Sequence, residues 1–432
     1  MIGRAGLSIA ALALLGACGE RDVILPGERQ EIRPGAATID MGAARDIRLP
    51  ETRANADWTH RSGGPTHLAG HPALGAALGL AFRADIGEGD GRRVRITADP
   101  VVAGDRVFTL DAISTVTATS TGGATLWSAD LTPPTDRPTD ASGGGLAVAG
   151  DVLIVSTGFG EVVAMEAATG ARLWTQDLDA PGNSAPTVAN DKVYVVARDG
   201  RAWALDLGNG RIAWTLSGTP PVANYAGGAG AAVTGDIAVI PFPSGEVIAT
   251  FPEGGLRRWS TVLAGQRPGS AAAVVSDIAG DPVIDGQIVY AGNVAGRVAA
   301  LGLANGDRLW TAAEGAAGPL WVAGDSVFLV NDLGQLVRLD AGNGDLVWRV
   351  QLPEFEEGRE RRQKTRFVHY GPVLAGGRLI VASSDGLIRQ FDPASGALLG
   401  QLDLPGGAAS NPVVAGQTLY VVTRRGELLA YR

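Results

Sequence analysis

Short apolar runs broken by tight turns recur along most of the chain. The stretch from Pro186 to Trp214 shows the grammar plainly. Thr187-Val188-Ala189 is a first run, Asn190-Asp191 interrupts it, and Val193 to Ala197 form a second. Asp199-Gly200 then marks a hairpin, Arg201-Ala-Trp-Ala-Leu205 alternates along a third run, and Asp206 to Gly210 turns the chain into a fourth, Arg211 to Trp214. Runs this short, with alternation and with Gly or Asn at the breaks, predict four consecutive antiparallel strands, here named A to D. Gly at these breaks supplies the positive φ that tight turns demand.

The phrase that opens each unit occurs eight times. It begins at Pro100, Leu146, Pro186, Ala231, Pro282, Leu320, Pro372 and Pro412, at successive spacings of 46, 40, 45, 51, 38, 52 and 40 residues. A strand-rich period near 45 is the signature of a β-propeller, in which each four-stranded blade covers a face of the next. The last copy stops after a strand C, Glu427 to Tyr431. Upstream of the first copy, Leu80-Ala-Phe82-Arg-Ala-Asp85-Ile86 mirrors Leu126-Trp127-Ser-Ala-Asp130-Leu131. Residues 79–86 are therefore expected to supply the missing outer strand, which pairs the two chain ends and removes an open edge. The expected fold is all-β: an eight-bladed propeller of four-stranded antiparallel blades, the last closed by an N-terminal strand.

Tryptophan recurs in strand D at Trp127, Trp174, Trp214, Trp259, Trp310 and Trp348, and is missing from the seventh copy, Gly396-Ala-Leu-Leu399-Gly400. A large ring near a blade edge suits the seam between blades, so these residues are read as structural and the seventh seam as weaker or differently filled. Asp105, Asp151 and Asp325 lie in repeat turns and are read as turn formers rather than catalysts.

Composition changes the picture in three places. Net charge is −9, which argues against a general nucleic-acid role, and Cys18 is the only cysteine, so no intramolecular disulfide forms. Arg4, the apolar stretch Leu7 to Leu15 and Leu15-Gly16-Ala17-Cys18 resemble a bacterial lipobox. The alternative is an ordinary signal peptide with a chance Cys. The lipobox reading divides the chain into a signal peptide (1–17), a lipidated tether (18–56) and the propeller (57–432). Gly19 after the Cys favours the outer membrane by resemblance to the enterobacterial sorting rule. His60, His67 and His71 lie among Gly and Pro. A shared helix face binding metal is thereby disfavoured, and the segment is expected to pack as a loop over one end of the disc. Walker loops, HExxH, Cys clusters and nucleophile elbows are lacking. Neither a catalytic constellation, a metal site nor a cofactor is expected.

Because strands alternate in direction, the A–B and C–D turns share one rim, while the B–C turns and the D-to-A links share the other. The first is short and repetitive. The second carries irregular segments at 217–225, 266–281 and 353–367, the last mixing both charge signs. Loops on a rigid scaffold are where binding usually resides.

The segments Ala164 to Trp174, Ala204 to Trp214 and Leu301 to Trp310 resemble the pyrroloquinoline-quinone (PQQ) type propeller repeat. Taken with lipobox, tether and eight blades, the chain resembles the BamB family, lipoprotein subunits of the outer-membrane β-barrel assembly (BAM) complex. The resemblance implies a non-enzymatic scaffold at the outer membrane, facing the periplasm of a Gram-negative bacterium. Its implied partners are the POTRA domains of BamA and unfolded outer-membrane proteins, with the chain a monomer within a hetero-complex. In the family, contact uses a Leu-x-Leu-Arg loop before blade 4 and an Asp-x-Asp loop before blade 5. Here the first aligns at Val222-Ala223-Asn224-Tyr225, without its Arg. The second aligns at Ser276-Asp277-Ile278-Ala279, with Asp277 retained, its second acid replaced, and Asp281 nearby. The implied partner-binding residues are Val222, Asn224, Tyr225, Asp277 and Asp281, and the implied lipidation site is Cys18. Two alternatives stand beside this. A quinoprotein dehydrogenase would need PQQ, a carboxylate-bound Ca²⁺ and commonly a disulfide between adjacent cysteines, which one Cys cannot form. An envelope propeller binding another protein or a glycan would use exposed aromatics, with Tyr225, Phe355 and Phe367 as candidates.

Overall fold

The computed structural model describes residues 45–182, 184–221, 227–265, 267, 275–356 and 365–432. Among these residues, strands form eight antiparallel four-stranded sheets and no helix. Blade 1 runs Val101–Ala103, Arg106–Leu110, Thr115–Ser120 and Thr125–Asp130 as strands A to D. Blade 8 has Val413–Ala415, Thr418–Val422 and Glu427–Tyr431, and its fourth strand is Leu80–Asp85. That strand pairs antiparallel to the C-terminal one, with Phe82 opposite Ala430 and Asp85 opposite Glu427. The closure expected from residues 79–86 is what the backbone adopts.

Strands A to C are largely buried on both faces because neighbouring blades cover them, whereas strand D is mostly exposed, with its tryptophan and alternate residues buried or half-buried. The core is accordingly a series of seams. One cluster joins blades 1 and 2, another blades 5 and 6, and the largest runs from blade 6 through blade 1 with Trp58 and Leu74 inside it.

Each seam between blades 1 and 7 carries the same latch. The indole N–H of Trp127, Trp174, Trp214, Trp259, Trp310 and Trp348 donates to a carbonyl in the next blade's C–D turn, at 2.8–3.2 Å. The ring lies flat on the glycine of that turn. A Cβ on Gly306 (φ +72) would sit 2.6 Å from the Trp259 ring, so this glycine is required both for its left-handed backbone and for the missing side chain. A recurrent β-bulge precedes each tryptophan. Ala300 faces Trp310 while Leu301 faces Arg308, which leaves Leu309 unpaired and exposed. The extra residue re-aims the indole toward the next blade.

The two remaining seams show why the seventh copy lacks tryptophan. Blade 8 has no covalent C–D turn. Arg432 and Gly79 exchange backbone hydrogen bonds there instead, at 2.7 and 3.0 Å. The seating glycines lie four residues before the strand D ring, a position that Leu78 holds here, so no glycine seats an indole, and the Tyr431 hydroxyl donates to the Asp403 carbonyl at 2.8 Å. At the seam from blade 8 to blade 1, Phe82 takes the indole's place over Gly123.

Residues 45–79 do more than cap the disc. Trp58 pairs with Val102 of blade 1, and Thr59 accepts from Val148 of blade 2. His60 meets Val188 of blade 3, Pro65 meets Val233 of blade 4, and Thr66 meets Ile284 of blade 5. Gly70 accepts from Trp321 of blade 6, Pro72 from Gly376 of blade 7, and Asn55 from Gly416 of blade 8. The segment thus visits strand A, or the A–B turn that follows it, in every blade in ring order, inside the channel and along one rim. This corrects the expectation of a loop laid over one end. The physical reason is that each strand A leaves backbone groups unpaired on its axial side, and these must find partners once buried. Residues 45–56, assigned to the tether from sequence, also hold to the blades: Arg45 bridges Asp340, at the end of strand C of blade 6, at 2.6 Å, and Asn55 reaches Val414, in strand A of blade 8, at 2.6 Å.

Candidate docking rim

The two rims differ in what already covers them. On the A–B and C–D rim, Gly104 N–H donates to Asp57 at 2.8 Å, Gly377 N–H to His71 Nε2 at 2.8 Å, and the Arg378 guanidinium to the Gly75 and Ala76 carbonyls. The Arg338 guanidinium, itself buried, donates to the Arg45, Asp46 and Ala394 carbonyls. The chain's own N-terminal segment occupies this side around blades 6, 7, 8 and 1. The opposite rim carries the D-to-A links, and the longest lead into blades 1, 4, 5 and 7.

The three histidines of the segment go to three different blades. His60 Nε2 accepts from Val188 N–H at 3.0 Å, His67 Nδ1 lies 2.8 Å from the Pro282 carbonyl, and His71 Nε2 accepts from Gly377 N–H at 2.8 Å while its Nδ1 lies 2.8 Å from the Pro50 carbonyl. Burial pushes His60 down to about 4, with His67 nearby adding to the effect. Among the described residues no His, Cys, Asp or Glu cluster is laid out to hold a metal.

Where the channel meets the link rim, a buried charge cluster closes it. Arg61 Nε approaches Asp99 at 3.3 Å and its Nη1 approaches Asp281 at 3.4 Å. Arg61 also donates to the Gly228 carbonyl at 3.0 Å. Asp281 accepts further from Gly230 N–H at 2.7 Å and Ser62 at 3.1 Å, and Asp99 from the Asn411 backbone and side chain at 2.7 and 2.8 Å. Burial pushes both carboxyls up. At Asp281 the Arg61 charge, His67 and these donors outweigh it and bring the group below its usual value, whereas at Asp99 burial prevails and the group stays raised. Above the cluster lies a cavity of roughly 300 Å³, with Ile96, Ala279, Ala317, Val368, Tyr370 and Ala409 among its walls.

Asp277 and Asp281 are thus brought to the same link, but both are 1% exposed. The Asp277 carbonyl accepts from Val294 N–H of blade 5 at 2.9 Å. Cys18, Val222, Asn224 and Tyr225 lie outside the described residues. Sequence reasoning passed over Arg61 and Asp99. A signal existed: Asp99-Pro100, Asp281-Pro282 and Asn411-Pro412 place an acid or amide just before strand A in three blades, which is where the axis is approached.

The outer membrane protein assembly factor BamB family model matches residues 112–350 and 332–432. Among curated proteins, the assembly factor of that name from Moranella endobia is 26% identical over 340 residues, covering 77% of this chain and 84% of its own length. That of Yersinia pestis is 25% identical over 341 residues, covering 77% and 83%. Among solved structures, BamB from Moraxella catarrhalis superposes with a TM-score of 0.67 at 18% identity, covering 82% of this chain and all of that one. A quinohemoprotein alcohol dehydrogenase from Comamonas testosteroni superposes with a TM-score of 0.65 at 16% identity, covering 87% and 80%. At these identities the superpositions show the fold alone.

Proposed function

The chain belongs to the outer membrane protein assembly factor BamB family, and from that membership we propose that it is a non-enzymatic scaffold subunit of the BAM complex. In this reading Cys18 carries lipid and tethers the disc to the outer membrane on its periplasmic side. The disc docks POTRA domains of BamA on the link rim, around blades 4 and 5, and holds that arm oriented for barrel folding and insertion. Val222, Asn224 and Tyr225 are the residues assigned to contact. Asp277 and Asp281, being buried, shape the links from beneath. The observation that carries the reading is the asymmetry of the rims, since residues 45–79 cover one around blades 6, 7, 8 and 1 while the other presents the long links.

The quinoprotein alternative was tested against the axis. Its cation would need free carboxylates, yet Arg61 already supplies the positive charge between Asp99 and Asp281. The cavity above is walled largely by apolar groups, and the guanidinium that reaches it is the same Arg61. These residues do not fit a carboxylate-bearing quinone with its Ca²⁺.

The test uses the lipidated protein purified from membranes and the soluble POTRA domains of BamA, with binding read by interferometry. Saturable binding weakened by Tyr225→Ala is expected. Absence of binding, together with capture of an unrelated complex from solubilised envelopes, would overturn the reading.

A further inference from the structure

The link into blade 5 is held by a device distinct from the seam latches. Its early part is pinned through Arg267, whose backbone N–H donates to the Ala295 carbonyl at 2.7 Å, and its late part through Asp277, whose carbonyl accepts from Val294. Both ends thus rest on the B–C turn of blade 5. From there the Arg267 side chain crosses to blade 6. Its Nε and Nη2 grip the two oxygens of Asp332 at 2.6 and 2.8 Å, in the B–C turn of that blade. Nη2 also reaches Glu314 at 3.3 Å and the Ala313 carbonyl at 3.2 Å, in the link from blade 5 to blade 6. Glu314 is 5% exposed and is fixed in turn by Arg349 at 3.4 Å and Asn331 at 2.8 Å. A bidentate guanidinium–carboxylate pair sets direction as well as distance. Its partial burial and the added carbonyl and Glu314 contacts make it a network rather than an isolated surface pair.

We infer that Arg267 is a positioning residue for the docking surface: by tying its end of the blade 5 link, at the B–C turn of blade 5, to the B–C turn of blade 6, it fixes the position from which that link meets a partner. The inference rests on the docking reading above, but its first consequence does not. Without the clamp Arg267 is released from blade 6, and if the docking-competent form is then populated a tenth of the time, apparent affinity falls about tenfold.

The experiment compares the full lipidated protein with Arg267→Ala, Arg267→Lys and the charge exchange Arg267→Asp with Asp332→Arg. Three properties are measured: binding to the POTRA domains of BamA, hydrogen exchange of residues 263–281, and thermal melting. Arg267→Ala is expected to weaken binding about tenfold and to speed exchange in this link while leaving the melting temperature in place. Arg267→Lys should be intermediate, and the exchange pair should restore binding. If Tyr225→Ala weakens binding and Arg267→Ala does not, the clamp is overturned and the docking reading stands. If no variant affects binding, the docking reading fails, and unchanged exchange in Arg267→Ala overturns the clamp separately. Should Arg267→Ala lower the melting temperature broadly, Asp332→Asn takes its place in each comparison.

Discussion

Acidification should loosen the disc from its axis, and His60 sets the window. Its ring is 4% exposed, and its Nε2 accepts the Val188 N–H at 3.0 Å, a role open only to the unprotonated nitrogen. Burial and the nearby His67 lower it from 6.5 to about 4. Between these values the unfolded chain binds a proton that the folded chain refuses, so stability falls as pH falls. The contribution is fully present above pH 6.5, is lost progressively toward pH 4, and at 1.36 kcal/mol per pKa unit amounts to about 3 kcal/mol. His369 is lowered as well, chiefly by burial, and contributes with the same sign. The assay is urea unfolding of the wild type and of His60→Gln from pH 7.5 to 4. Gln keeps an acceptor but does not titrate, so its unfolding free energy should decline less steeply. The two curves should converge by about 3 kcal/mol across the window. Curves that stay parallel within about 0.5 kcal/mol, the usual scatter for a site without effect, would refute the argument that this ring is held neutral by the channel.

Other consequences can be checked on the same protein. Trp259→Ala removes both the latch to Leu303 and the filling of a seam; an unfolding free energy lower by about 3–5 kcal/mol is expected in denaturant melts. Gly306→Ala should mimic part of that loss, because its Cβ would meet the same indole at 2.6 Å. Arg61→Met strands Asp99 and Asp281 without their cation and should cost about 3–5 kcal/mol at neutral pH. Adding Asp281→Asn should recover part of it, and equal stability of the single and double variants would speak against the shared pairing. Cys18→Ser should move the protein from the membrane to the soluble periplasmic fraction, which fractionation with an antibody against the disc would show.

The candidate site was only half legible in the chain. The rims followed from strand alternation, and the position of Asp277 and Asp281 on one link followed from the repeat register. The buried pairing of Asp281 did not, because its partner Arg61 approaches from 220 residues away. Arg267, Glu314 and Asp332 were likewise unremarkable as letters. They belong to three different loops, and only the ring geometry makes them neighbours. Likewise, the missing tryptophan of the seventh copy could be noticed in the sequence. Its explanation needs the observation that blade 8 is closed by Gly79 meeting Arg432 and has Leu78 where other blades carry the seating glycine.

Local chemistry alone therefore decided the blades. Apolar runs of strand length, turns marked by Gly, Asn and Asp, and a repeating Trp each act within one unit or between adjacent ones, so their period survives in the letters. The path of residues 55–72 was decided only when the ring closed. Its Gly, Pro and His residues have no period of their own, and they are held by groups on the first strands or first turns of eight separate blades that converge on the axis. Those unpaired groups exist only in the assembled disc, which is why the plug was invisible until the tertiary structure supplied the wall it bonds to.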